Sequence, residues 1–232
     1  MTTWLWIGTA GMSLGALAFL VLGRRAEGKE ADFVLITFFI AFIAATAYLA
    51  MALGQGVVTI DGDEVFFARY IDWIITTPLL LLDLAILAGA GRRLTIWLLG
   101  LNVHMIATGL VAGLTVGNDR YIWFAVSTVS FIALLALLVS RFLALAKTQG
   151  PEVAALFTRL AGLTAVLWSA YPVVWLLGTE GTGAISLTAE VAVFVVLDLS
   201  AKIGFGFLLL SKRAVVSQAK PVPLPTAGTA TA

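Results

Sequence analysis

The chain has 232 residues, 61% of them hydrophobic and 12% charged, with a formal net charge of +1 and a mean hydropathy of +1.04. A soluble domain carries about 25% charged residues, so half of the polar surface that water demands is missing. A charge near zero without long blocks of one sign gives nucleic acid no footing. The absence of cysteine excludes disulfides and thiolate metal ligands, and one histidine, His104, cannot build a His-rich metal site.

Apolar runs of about 20 residues recur along the chain, each long enough to cross ~30 Å of hydrocarbon as a helix. The first, 3–23, has no basic region before it and is expected to span rather than to act as a cleavable signal. The others are read at 32–54, 65–88, 94–115, 120–146, 152–177 and 187–211, separated by charged or glycine-rich breaks. Pro78 and Pro172 are expected to kink the third and sixth spans. Residues 1–213 are thus predicted to form one all-α, seven-helix membrane domain, multi-pass in the cell membrane. Its backbone hydrogen bonds are satisfied within each helix. Residues 214–232, rich in Ala, Pro and Thr and without an apolar period, are expected to form a disordered tail.

Lysine and arginine set the expected orientation. With the N-terminus outside, Arg24, Arg25, Lys29, Arg92, Arg93, Arg141, Lys147, Arg159, Lys212, Arg213 and Lys220 all fall on the cytoplasmic side. Only Arg69 and Arg120 fall on the other, and Lys202 lies within the last span.

A charge near the bilayer centre costs at least ~2.5–3.5 kcal/mol, so each intramembrane ionisable residue calls for a reason. Arg69, Asp72 and Thr76 are spaced to share one face of the third span. Asp83 lies eleven residues beyond Asp72, close to three full turns and about 16 Å along the same stripe. In the last span Asp198 and Lys202 are four apart and can meet. A structural ion pair is one reading of Lys202, yet one lysine facing two carboxylates is more than a helix clip needs. Trp73 adjoins Asp72, while Trp168, Tyr171 and Trp175 share a face of the sixth span. Taken singly these aromatics read as ordinary packing; around a charged cluster they read as walls of a flat apolar pocket. A lysine that forms a Schiff base with an aldehyde would join these pieces.

At these residues the sequence resembles the haloarchaeal microbial (type 1) rhodopsins, in the proton-pumping branch of bacteriorhodopsin and archaerhodopsin. The matching strings are Ala68-Arg-Tyr-Ile-Asp-Trp, Thr76-Thr-Pro-Leu-Leu-Leu-Leu-Asp-Leu, Pro151-Glu-Val, Leu167-Trp-Ser-Ala-Tyr-Pro-Val-Val-Trp, Gly178-Thr-Glu-Gly and Leu197-Asp-Leu-Ser-Ala-Lys-Ile-Gly-Phe-Gly. The resemblance implies all-trans retinal on Lys202 as a protonated Schiff base, and light-driven outward proton translocation without chemical turnover of a substrate. It implies Asp72 as proton acceptor, Asp198 as second counterion, Arg69 as the link to the exit, and Asp83 with Thr37 as the cytoplasmic donor. Glu180 and Glu190 match the release glutamates, and Tyr48, Tyr171 and Thr76 match hydrogen-bonding groups beside the counterion. The retinal pocket is matched by Trp73, Thr76, Thr77, Leu80, Met105, Gly109, Trp168, Tyr171 and Trp175. Ser127 and Phe131 fall near the ring end. Membrane lipids and protons are the implied partners, with a homotrimer suggested and no metal or nucleic acid.

The sequence departs from that pattern at Asn102, Phe124, Phe131, Phe66 and Ala41, which bears on colour and pocket shape. His104 is expected to serve packing rather than proton transfer. A chloride pump is disfavoured by Asp72, since an anion would have to sit there. A phototaxis receptor signalling through a membrane transducer is the alternative, favoured by the Arg69-Tyr-Ile-Asp-Trp string and Asn102 but opposed by Asp83 and Ala201. A retinal-free proton-coupled transporter is the remaining reading, and no internal repeat supports it.

Overall fold

The computed structural model describes residues 1–219, and its seven long helices account for most of them. They are α1 (Thr2–Gly23), α2 (Lys29–Ala52), α3 (Phe67–Ala88), α4 (Arg92–Leu114), α5 (Asp119–Thr148), α6 (Pro151–Leu177) and α7 (Leu187–Leu210). Each is long and apolar enough to cross a membrane, and the protein is a multi-pass membrane protein. Consecutive helices pack side by side, and α7 returns against α1 to close the ring. α3 sits inside that ring, touching α2, α4, α5 and α6.

Local sequence chemistry sets the helix ends. α3 stops at Gly89, whose φ of 66° is the left-handed conformation that lets its N–H cap Ala85 and Ile86. α6 begins with Pro151 in the first turn, where the missing N–H costs nothing, directly after Gly150 at φ 117°. Both α3 and α6 continue as helices through Pro78 and Pro172. At the start of α7 the Ser186 hydroxyl accepts from the Ala189 N–H at 3.3 Å.

Two features depart from the plain seven-helix expectation. The α2–α3 connection holds an antiparallel hairpin, β1 (Val58–Ile60) and β2 (Asp63–Val65), around Asp61 and Gly62, both at positive φ. This Asp-Gly pair is the residue choice that a two-residue hairpin turn demands. Within α5 and α7 the helix widens to π geometry at Leu138–Phe142 and Leu199–Gly204. Such single wide turns are frequent at functional sites, and the second contains Lys202.

The boundary placed after residue 213 falls inside a short helix, α8 (Arg213–Val216). Val216 and Ala219 are buried, Gln218 Nε2 donates to Glu152 Oε2 at 3.3 Å, and the Lys29 ammonium donates to the Ala219 carbonyl. The first residues of the expected disordered tail are therefore tied across the end of the bundle, because Val215 and Val216 continue the apolar pattern of α7. The rest of the tail, 220–232, lies outside the described residues.

The core follows the central helices. α3 and α7 are the most enclosed spans, and α5 the most lipid-exposed. On α7 the buried positions Val191, Phe194, Val195, Asp198, Ala201, Lys202 and Phe205 recur three or four apart. On α3, Arg69, Asp72, Trp73, Thr76, Leu80, Asp83, Leu84 and Leu87 do the same. The ionisable residues thus lie on the inward stripes of the two best-shielded helices.

Candidate functional site

Lys202 Nζ lies 2.8 Å from Asp72 Oδ2 on α3 and 3.1 Å from Asp198 Oδ1 one turn earlier on α7. All three side chains are almost completely shielded. The two carboxylates are held differently. Asp198 Oδ1 accepts from Tyr171 at 2.7 Å and from Trp73 Nε1 at 3.2 Å, and its Oδ2 accepts from Tyr48 at 2.8 Å. Asp72 Oδ2 accepts from Lys202 alone, and Asp72 Oδ1 is buried with no partner among the described residues. The Thr76 hydroxyl donates to the Asp72 carbonyl at 2.9 Å rather than to its carboxylate.

Lys202 also lines a cavity of about 840 Å³, its mouth included. From α7 the cavity passes between α3 and α6 towards α4 and α5. Trp73, Thr76, Thr77 and Leu80 form its α3 wall, and Trp168, Tyr171 and Trp175 its α6 wall. Met105 and Gly109 come from α4, Ser127 and Phe131 from α5. Tyr70, Ile106, Thr128, Pro172, Phe194 and Ala201 line it as well, and the sequence had not marked them as lining. Phe124 reaches the cavity stacked on Trp175, with ring centroids 4.6 Å apart. Asn102 sits just behind the wall, its Oδ1 accepting from Thr77 Oγ1 at 2.8 Å. The space is apolar and aromatic, with one amine at its end. That donor set fits a long unsaturated aldehyde joined to Lys202.

Between this cluster and the β1–β2 end of the bundle lies a second polar group. Arg69 Nη1 pairs with Glu190 Oε1 at 3.1 Å, and the guanidinium packs over Phe194 at 4.2 Å. Glu190 Oε2 also accepts from the Thr179 N–H and hydroxyl at 2.9 and 3.1 Å. Glu180 Oε2 accepts from Tyr70 and, at 2.7 Å, from Trp175 Nε1. Tyr70 and Thr179 carry no charge, so nothing in the sequence sets them apart from other polar residues of the spans and loops.

Burial pushes the Glu180 carboxyl above its ordinary value of 4.5, against the opposing pull of Arg69 and the Tyr70 hydrogen bond. Here the folded chain keeps a proton that the unfolded chain releases. This stabilising contribution is complete below 4.5 and is lost as pH rises through the folded value. Glu180→Gln is neutral at every pH, so its melting temperature relative to the parent is expected to rise between pH 4 and neutrality. A constant offset across that range would show that Glu180 does not hold this proton.

Asp83 lies towards the opposite end of α3, fully buried. Its nearest polar neighbour is Thr37 Oγ1 on α2, 3.5 Å from Oδ2, while Oδ1 has no partner among the described residues. The Thr37 hydroxyl itself donates to the Phe33 carbonyl at 2.7 Å. His104 stands apart, on the outer face of α4, with Nδ1 2.8 Å from Ser130 Oγ on α5.

The family profile described as Bacteriorhodopsin-like protein matches residues 1–216. The chain belongs to the bacteriorhodopsin-like family. It is 51% identical to Bacteriorhodopsin of Haloterrigena sp. (strain arg-4), covering 96% of this chain and 92% of that one. It is 44% identical to Archaerhodopsin-3 of Halorubrum sodomense, over 98% and 90% of the two chains. Among solved structures, thermophilic rhodopsin from Rubrobacter xylanophilus superposes with a TM-score of 0.91 at 53% identity, over 94% of this chain and 98% of that one. As a bacteriorhodopsin-like protein, the chain has both its central and its peripheral buried acids inside the matched region.

Proposed function

We propose that the chain is a light-driven outward proton pump carrying retinal on Lys202. The observation that supports this reading best is the placement of Lys202 Nζ between Asp72 and Asp198 at the end of an apolar cavity. Retinal joined there as a protonated Schiff base supplies light absorption and a photoisomerisation. Every other part belongs to the protein.

The unequal hydrogen bonding of the two carboxylates supports different roles for them. Asp198 is anchored by two tyrosines and a tryptophan, which stabilise its charged form. Asp72 accepts from Lys202 Nζ and has fewer donors than Asp198, so it is the better placed to take the proton held there. Arg69 pairs with Glu190 and opposes retention of a proton on Glu180, which favours loss of a proton at that end.

Asp83 is the source of the replacement proton. Asp83 is fully buried with no cation within ion-pair distance among the described residues, and its one polar neighbour, the Thr37 hydroxyl, lies 3.5 Å away and also donates to the Phe33 carbonyl. That pattern calls for a proton on Asp83 at rest, about 16 Å along α3 from Asp72. The excess of lysine and arginine at the Asp83 end supports a cytoplasmic placement of that end, and with it an outward transfer.

Asp83→Asn preserves shape and removes the donated proton. Flash photolysis is expected to show recovery of the resting pigment slowed on the order of 100-fold, with its colour unchanged. Unaltered recovery would remove Asp83 from the pathway and leave the phototaxis reading in possession.

A further inference from the structure

Three arginines meet at an open groove at the basic end of the bundle. Arg24 and Arg25 leave the C-terminus of α1, and Arg213 begins α8; with Val21 and Leu22 they form the whole lining. Arg213 Nη1 donates to the Leu22 carbonyl at 2.7 Å, which fixes its guanidinium at the groove and leaves its other N–H groups to face a ligand. No carboxylate lies within ion-pair distance of any of the three among the described residues. Like charges gathered this way repel one another unless an anion joins them.

The floor of the groove identifies the anion further. Val21 and Leu22 are exposed, and Val21 continues a lipid-facing stripe with Leu17 and Leu14, four and seven residues earlier on α1. Free phosphate has no use for such a stripe. A phospholipid does, because its acyl chain can lie along it while the phosphate reaches the guanidinium forks at the membrane surface. Basic pockets at the ends of membrane helices favour anionic headgroups for this reason.

We propose that Arg24, Arg25 and Arg213 form a binding site for the phosphate of one anionic phospholipid, whose chain lies along Leu14, Leu17 and Val21. The proposal is independent of the retinal reading.

The test is native mass spectrometry of the full-length protein in micelles containing phosphatidylglycerol and phosphatidylcholine with identical chains. The expected result is one retained phosphatidylglycerol, favoured about tenfold over phosphatidylcholine and not displaced by millimolar inorganic phosphate. R24Q/R25Q is expected to abolish that preference. R92Q/R93Q, which removes equal charge from an exposed pair outside the groove, should change it less than about twofold. Circular dichroism checks that each variant folds; should the double variant fail, R24Q and R25Q singly are each expected to lower the preference about threefold. Equal losses in the two double variants would reduce the effect to diffuse surface charge and overturn the site. Displacement by phosphate would overturn the lipid assignment.

Discussion

Lys202→Ala, mixed with all-trans retinal, is expected to form no visible pigment at all. The cavity holds one amine, and the covalent link that fixes and tunes the chromophore has no other nitrogen to use. The substitution also strands Asp72 and Asp198 without their cation, and breaking a buried pair in this way costs about 3–5 kcal/mol. The variant is therefore best read beside a second measurement that needs no mutation. Hydride reduction of the reconstituted parent protein should leave a retinyl group, retinal less its oxygen, on the peptide that contains Lys202. A normal band in the alanine variant, or label on another peptide, contradicts the attachment site.

The second large effect is expected at Asp72. Asp72→Asn keeps the side-chain size but cannot take up the proton from Lys202 Nζ, so light-driven transport should fall at least on the order of 100-fold. The pigment itself should form, because Asp198 remains beside Lys202 with its tyrosine and tryptophan donors intact. Its band should move to longer wavelength, since the positive charge at the nitrogen loses one stabilising carboxylate. Transport near the parent level would transfer the acceptor role to Asp198 and undo the argument from unequal hydrogen bonding.

These two expectations rest on features that the sequence displays openly. A charge within an apolar run is conspicuous, and helical spacing alone places Arg69, Asp72 and Asp83 on one stripe, which is where the structure has them buried. The seven spans emerge for the same reason, with ends displaced by a few residues where loops and caps decide them. The β1–β2 hairpin is different. Its signal, Asp61-Gly62 between Val58–Ile60 and Asp63–Val65, is present but too short to stand out from an ordinary connection. The π turn around Lys202 has no comparable signal, because it depends on how α7 packs against its neighbours. The Thr76 hydroxyl could equally have faced the carboxylate or the carbonyl of Asp72; only the rotamer in the packed helix decides. Partners across helices, such as Ser130 for His104 and Tyr70 for Glu180, are likewise set by tertiary packing and invisible to spacing along one strand of text.

The same contrast explains the peripheral cluster. Arg69 and Glu190 are separated by 121 positions yet form a buried pair, with Phe194 supplying an aromatic face for the guanidinium. Each residue is individually suspicious in a membrane protein, but their direct contact follows only from the ring closure that brings α7 beside α3.

The central claim is vectorial proton transport, and the most direct measurement is the light-induced pH change of unbuffered vesicles carrying the retinal-reconstituted protein in one known orientation. The expected result is acidification on the side of the β1–β2 hairpin, abolished by a protonophore and absent in Asp72→Asn. A coloured, correctly folded protein that produces no pH change would contradict the pump and redirect attention to a signalling partner in the membrane.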